Sequence, residues 1–474
     1  MTDNTWNESS IHSVFEKQRA FFRTGKTLDI NWRIEQLRRL KAAVQRYETR
    51  MTDALGADLG RHSMEAYFCD VGSVILEINE TIHGLRKWAR PETHFSGLLC
   101  FPSVITKVYK MPYGTTLIIS PFNFPFLLSL GVLTVSLAGG NTAIIKASSK
   151  SSASTAVLKE MIADTFPDEY VTVIDGGHDI ADLCLAERSD KIFYTGSPNI
   201  GKHVLGMASG NLTPVALELG GENGNWCIVR KDADIKDAAR KIVFMKALNS
   251  GQVCININQV AVAEEIAEPF IDEVKREIIR QLGAHPSENP EYPRMISKSA
   301  YARCEKEAQA YGSRVIVGGS GNADNLKFDI TVIYPVDPDE DIVNHELFSP
   351  LLPIVPFRDS EIDGLLKKIS EREHGLSLYL FTKDIRWAKK TMQSQQFGGG
   401  CVNEVCYQLM VKGVPFNGTG HSGMGAYHGE WGFREFTHPQ TVLFGRSHLN
   451  LPLREHPYGG KGSPKEKLVR FFEK

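Results

Sequence analysis

The chain lacks most of the features that mark a specialised protein. Its 474 residues carry a formal net charge of -2, so no surplus of one sign is available for a nucleic-acid groove or an anionic membrane surface. No apolar run reaches the ~18 residues that a bilayer span needs. The longest, over 125–138, is broken by Ser129, Gly131, Thr134 and Ser136 and suits a buried helix. The opening MTDNTWNESS has no basic stretch followed by an apolar one, so it does not read as a secretory signal. The eight cysteines (69, 100, 184, 227, 254, 304, 401 and 406) include no CxxC pair and no metal-ligand spacing. That scatter predicts reduced thiols in a cytoplasmic protein, with neither disulfides nor structural zinc. Internal repeats and low-complexity tracts are also missing.

What is present is an ordinary globular composition, 42% hydrophobic and 23% charged, in a chain long enough for two or three lobes. The first hundred residues read as helices. Ile34, Leu37, Leu40 and Val44 share one face, and a second helical stretch over 66–89 is closed by Pro91. From Lys110 the texture changes to short runs rich in β-branched residues: TTLIIS (115–120), TAIIK (142–146), YVTVID (170–175) and KIFYTG (191–196). Helical segments over 126–137, 153–166 and 180–186 separate them. This alternation predicts an α/β fold with a parallel sheet covered on both faces. A second alternating series begins near Val215 and continues through 225–229, 259–263, 313–318, 351–357 and 376–382. After the Gly-rich FGGGCVN (397–403) the role changes, and the Pro- and Gly-rich end reads as an extended arm closing in a short basic helix.

Chemistry concentrates in NSGQVCI (249–255), where Cys254 follows Gly251 and Gln252 on a tight turn before a strand-like run. A thiol is the best neutral-pH nucleophile among side chains, and backbone N–H groups at such a turn stabilise an oxyanion. A lone cysteine is more often a buried structural one. Its company changes that reading. Glu218 ends an apolar strand in VALELGGENGN (215–225), either as a solvent-facing residue or as a base in an apolar pocket. Asn123 stands between aromatics in SPFNFPF (120–126), as an oxyanion donor or as a helix cap.

With these motifs together the chain resembles the aldehyde dehydrogenase superfamily, and within it the shorter class 3 group of fatty and aromatic aldehyde dehydrogenases and their bacterial relatives. SPFNFPF, LELGG, NSGQVC, HELFSPLLPI and HSGMGAYHG occur in the family's order and spacing over nearly the whole chain. The resemblance implies that Cys254 attacks the aldehyde, that Asn123 and the Cys254 backbone N–H hold the oxyanion, and that Glu218 activates water to hydrolyse the thioester. It implies NAD or NADP as cofactor. Glu346 would hold the nicotinamide ribose with Phe348 beside it, Lys146 would contact the adenosine ribose, and Gly196 and Gly201 would let the backbone pass close. It further implies a Rossmann-like cofactor domain (1–86 and 110–217), a catalytic domain (218–398) and a bridging segment (87–109 and 399–474) that joins a homodimer.

The chain departs from the family at several positions. Ser149, followed by Lys150, stands where a glutamate often grips both ribose hydroxyls, and a hydroxyl with an ammonium suits a 2'-phosphate better than a carboxylate does. Glu222 replaces a usual lysine, ININQ follows the nucleophile, and Thr419 and His421 replace commoner residues in the last motif. Tyr67, Tyr407 and Leu409 are expected to line an apolar funnel for medium-chain aliphatic or aromatic aldehydes. Leu468, Phe471 and Phe472 either cover its entrance or belong to a free tail. Two rivals share the fold: an acylating enzyme or acyl reductase, and a structural protein without catalysis. The intact LELGG favours hydrolysis, and retention of Cys254, Glu218, Asn123 and Lys146 favours an enzyme.

Overall fold

The computed structural model describes residues 6–97, 100, 103, 105–445, 447–448, 453 and 455–472. The first five residues and Pro452 of the arm lie outside these. The expected N-terminal helices form at Glu8–Arg23 and Ile30–Leu59. The second starts where the Asp29 carboxylate accepts the Asn31 N–H at 2.7 Å and stops at Gly60, whose φ of 64° ends the helix. Ile34, Leu37, Leu40 and Val44 are all buried, as their spacing predicts. The stretch expected over 66–89 is helical but not uniform: a wide π-turn at Tyr67–Val71 precedes the helix Gly72–Trp88.

The four strands read from β-branched runs occur at Thr115–Ile119, Thr142–Lys146, Val171–Ile174 and Lys191–Gly196, all parallel. The strand Val215–Leu219 pairs in parallel with Lys191–Gly196, so it completes this first sheet rather than opening the second series. In chain order the five strands run 5-4-1-2-3 across the sheet. The order therefore reverses between Thr115–Ile119 and Lys191–Gly196, and in such sheets ligands sit beyond the carboxyl ends of the strands at that reversal. A two-residue strand, Gly423–Met424, adds antiparallel to Val215–Leu219 and brings the last quarter of the chain to the sheet edge.

A second sheet has seven strands, with Ile257–Ala263 between Leu351–Phe357 and Asn225–Val229 at its centre. Gly399–Val402 pairs in parallel with Ser377–Phe381 at one edge, so the Gly-rich run still belongs to this sheet. The expected boundary after 217 thus falls inside a strand of the first sheet, and the one after 398 falls just before an edge strand of the second. A third, antiparallel sheet joins Glu92–Phe95, Ile105–Pro112 and Thr437–Phe444. It carries the exposed apolar side chains Phe95, Ile105, Leu443 and Phe444. The helix Pro464–Phe472 closes the described chain, with Leu468 and Phe471 exposed.

Candidate active site

Cys254 is delivered by a backbone feature that a helix cannot continue through. The helix Ile235–Ala247 starts on the Asp234 carboxylate and ends in three successive left-handed residues, Asn249 (φ 48°), Ser250 (φ 53°) and Gly251 (φ 75°). Left-handed φ is unfavourable for side-chain-bearing residues, so the surroundings must hold this turn. A Cβ on Gly251 would lie 2.1 Å from the Ser349 carbonyl oxygen, which explains the glycine. The Gln252 amide donates to the Asn249 and Arg294 carbonyls, each at 3.0 Å, and accepts the Ile296 N–H at 3.0 Å. Asn225 donates to the Cys254 carbonyl at 2.8 Å.

The Asn249 side chain joins the turn to the Asn123 segment, donating to the carbonyls of Asn123 (3.1 Å) and Gln252 (3.0 Å). Beneath them lies Arg61, buried just past the end of the long helix. Its guanidinium donates to Asn249 Oδ1 (3.0 Å), to Asp70 Oδ2 (2.5 Å) and to the Asn123 carbonyl, and lies 4.4 Å from the centre of the Phe124 ring. Asp70 in turn accepts the N–H groups of Phe126 (3.1 Å) and Leu127 (2.8 Å). Arg61 and Asp70 carry no signal in the sequence, because an arginine after a helix-ending glycine looks like a surface residue.

Asn123 is buried, and its Nδ2 donates to the Gln252 carbonyl at 3.2 Å, which leaves the second amide hydrogen for a ligand. Glu218 is 3% exposed, and neither carboxylate oxygen has a hydrogen-bond partner. Burial, with Glu435 nearby, raises its pKa well above the ordinary carboxylate value. Cys254 is half-buried, and burial followed by the charges of Glu218 and Glu346 pushes its pKa up to about 12. Glu346, also half-buried, is raised by burial to about 8, with Arg303 opposing. Burial thus favours the neutral form of the thiol and of both carboxyls.

Two cavities share Cys254 and no other lining residue. One is a largely apolar tunnel of about 1100 Å³ whose wall includes Phe68, Cys69, Phe124, Leu127, Tyr407 and Leu409. Of the three expected funnel residues, Tyr407 and Leu409 line it but Tyr67 does not. The extra residue that a π-turn holds alters which side chains face inward, and Phe68 and Cys69 take the place. Leu468, Phe471 and Phe472 take no part in the wall.

The other is a polar cleft of about 1680 Å³ at the carboxyl ends of the first-sheet strands. Phe122, Asn123, Lys150, Gly196, Glu218, Glu346 and Phe348 line it. Phe348 (φ 48°) meets Phe122 edge-on at 6.0 Å, and a Cβ on Gly220 would lie 1.9 Å from Glu346 Oε1. Thr195, also on the wall, has a buried hydroxyl without a partner. A backbone cradle, an aromatic wall and orphaned polar atoms suit a dinucleotide at this switch point. The remaining expected contacts stand differently. Lys146 is buried, donates to the carbonyls of Ala147 (2.9 Å) and Gly176 (2.8 Å), and has one donor left. Gly201 packs against Leu219 as a helix–strand contact, and Ser149 is exposed beside Lys150.

The buried, unpartnered Glu218 has a consequence for stability. In the unfolded chain it ionises at its ordinary value near 4.5, whereas in the fold it keeps its proton to much higher pH. Its contribution is fully present below pH 4.5 and is lost as pH rises toward the folded value, by up to ~1.4 kcal/mol per pH unit. Glu218→Gln is expected to raise Tm, by a margin that widens between about pH 5 and pH 8 in calorimetry. A margin that is constant or shrinks with pH would place the carboxylate in a solvated setting.

Comparison with known proteins agrees with this arrangement. The family model described as the aldehyde dehydrogenase family matches residues 4–442. A 4,4'-diaponeurosporen-aldehyde dehydrogenase of Staphylococcus aureus is 35% identical over 453 residues, covering 95% of this chain and 97% of that protein. A dimeric NADP-preferring aldehyde dehydrogenase of Canis lupus familiaris is 32% identical over 442 residues, covering 92% and 94%. The solved substrate-bound state of Staphylococcus aureus AldH superposes with a TM-score of 0.93 at 34% identity, covering 98% of this chain and 99% of that one. The chain belongs to the aldehyde dehydrogenase family, and it is an oxidoreductase that acts on aldehydes with NAD or NADP.

Proposed function

We propose that Cys254 carries the substrate as a covalent thioester, and the observation that bears most weight is its place as the only residue common to tunnel and cleft. An aldehyde entering along the apolar wall reaches the thiol with its carbonyl at the tunnel's inner end. Cys254 adds to the carbonyl carbon, and the free amide hydrogen of Asn123 and the Cys254 backbone N–H donate to the oxygen. The oxidised nicotinamide supplies a hydride acceptor and a positive charge. Glu346 and Phe348 would hold it at the cleft wall, and Lys146 keeps one donor that would serve its ribose. Glu218 then takes a proton from the water that hydrolyses the thioester, a role its burial suits by raising its basicity. This carboxylate distinguishes hydrolysis from acyl transfer to another thiol. The tunnel wall suits slender apolar aldehydes, medium-chain aliphatic or aromatic, and the Staphylococcus aureus relative acts on 4,4'-diaponeurosporen-aldehyde according to its name.

Cys254→Ala is expected to abolish turnover and leave cofactor binding within about twofold, because the thiol forms the only covalent bond to substrate. Glu218→Gln should release one equivalent of NAD(P)H in rapid mixing and then stall. An active Cys254→Ala enzyme, or the loss of the first equivalent in Glu218→Gln, would contradict these roles.

Lys150, on the cleft wall with its ammonium 5.5 Å from the Phe122 ring centre, favours acceptance of a 2'-phosphate. Ser149 beside it leaves that charge unopposed. Ser149→Glu should turn the ratio of kcat/KM toward NAD by ~10- to 100-fold, the worth of one charge-assisted contact. The ratio is measured at fixed ionic strength because the effect is screened. An unchanged ratio would reduce Ser149 to a bystander.

Among the described residues the third sheet leaves both outer strands unpaired and exposes Phe95, Ile105, Leu443 and Phe444, which fits a homodimer built on that surface. The canine relative is dimeric by name. Sedimentation should give twice the chain mass of 52.8 kDa, and a single-chain mass at about 10 µM would count against it. Among the described residues no helix is long and apolar enough to cross a membrane, and the eight cysteines are unpaired, which supports a reducing, cytoplasmic setting.

A further inference from the structure

The motif 421–429 has no part in this scheme, yet it folds against the place where the scheme is short of a hydrogen bond. Glu218 has no partner for either oxygen. A water held by one carboxylate alone can still rotate about that bond, whereas a reacting lone pair must be aimed at the thioester carbon. The short strand Ala426–Tyr427 sets a second polar group on the tunnel wall that Cys254 also lines. Tyr427 is 1% exposed, and its ring is fixed edge-on by Phe193 at 5.3 Å and Phe416 at 5.6 Å and covered by His428 at 4.2 Å.

The backbone beyond it is held as firmly. His428 is left-handed (φ 81°), and buried Glu77 accepts its Nδ1–H at 2.8 Å and the Gly429 N–H at 2.9 Å. Such strain persists only where its neighbours enforce it, and here it fixes the tyrosine before it. Burial first, then the charges of Glu218, Cys254 and Glu77, raise the phenol pKa well above its ordinary value. The hydroxyl therefore keeps its proton, able to donate and accept a hydrogen bond but not to act as the base.

We propose that Tyr427 is a second catalytic residue for deacylation, whose hydroxyl shares the hydrolytic water with Glu218 and aims it at the Cys254 thioester. The water oxygen bonds to the acyl carbon, one water proton passes to Glu218, and the carbon–sulfur bond breaks. The sulfur recovers the proton from Glu218, so thioester and water become carboxylic acid and thiol. This rests on the thioester reading above.

The test separates the two. p-Nitrophenyl acetate acylates a reactive thiol without aldehyde or cofactor, and mass spectrometry locates the acetyl group and follows its loss. In Tyr427→Phe, the first release of nitrophenolate should stay within about twofold of wild type, and hydrolysis of acetyl-Cys254 should slow by ~10- to 100-fold. Hydroxylamine added to the acetyl-enzyme needs no base to attack, so it should cleave both proteins at equal rates. Hydrolysis at the wild-type rate overturns the proposal. So does an equal slowing of the hydroxylamine reaction, which would mark Tyr427 as packing. If acetyl settles on a cysteine other than Cys254, or Glu218→Gln deacylates like wild type, the thioester reading fails instead.

Discussion

The catalytic arrangement depends on one buried cation. Among the described residues, only Arg61 bonds at once to the turn before the nucleophile, through Asn249, to the segment bearing Asn123, and to Asp70, which caps the chain at Phe126 and Leu127. A buried ion pair of this kind adds little net stability, because desolvation cancels most of the attraction. Its value lies in geometry. Five donors in a rigid plane fix three chain segments relative to one another, and a lysine would fix none of them in orientation. The left-handed run Asn249–Gly251 is tolerated because these bonds leave it no alternative.

With the frame fixed, the chemistry is set by withholding water. Cys254, Glu218 and Glu346 all line the cleft, where burial raises all three pKa values and favours each neutral form over its charged one. Two like charges so close would repel, and none has a lysine or arginine bonded to it among the described residues. A cation entering the cleft would favour the ionised form of the thiol.

Legibility in the sequence followed the range of the interactions. The parallel strands were readable because burial on both faces demands β-branched runs, and the helix faces because packing repeats every 3.6 residues. Gly423–Met424 was not, since two residues make no pattern and its register comes from the Val215–Leu219 strand it joins. The residues proposed as nucleophile, base and oxyanion amide stood out through motif resemblance. Residue chemistry alone left a structural cysteine, a strand-end glutamate and a helix-capping asparagine as the favoured readings. Arg61 and Asp70 escaped because their meaning lies in partners far along the chain. Tyr67 was misplaced because a π-turn changes the side-chain register in a way that no local propensity announces.

That tunnel and cleft share only Cys254 also governs traffic. Under the proposed mechanism substrate and cofactor arrive by separate doors, and neither must pass the other to reach the sulfur. The acid can return the way the aldehyde came while the reduced cofactor leaves through the cleft. A plug lodged among Phe68, Leu127 and Leu409 would compete with aldehyde alone, so the molecule offers one address for inhibitors apart from the cleft.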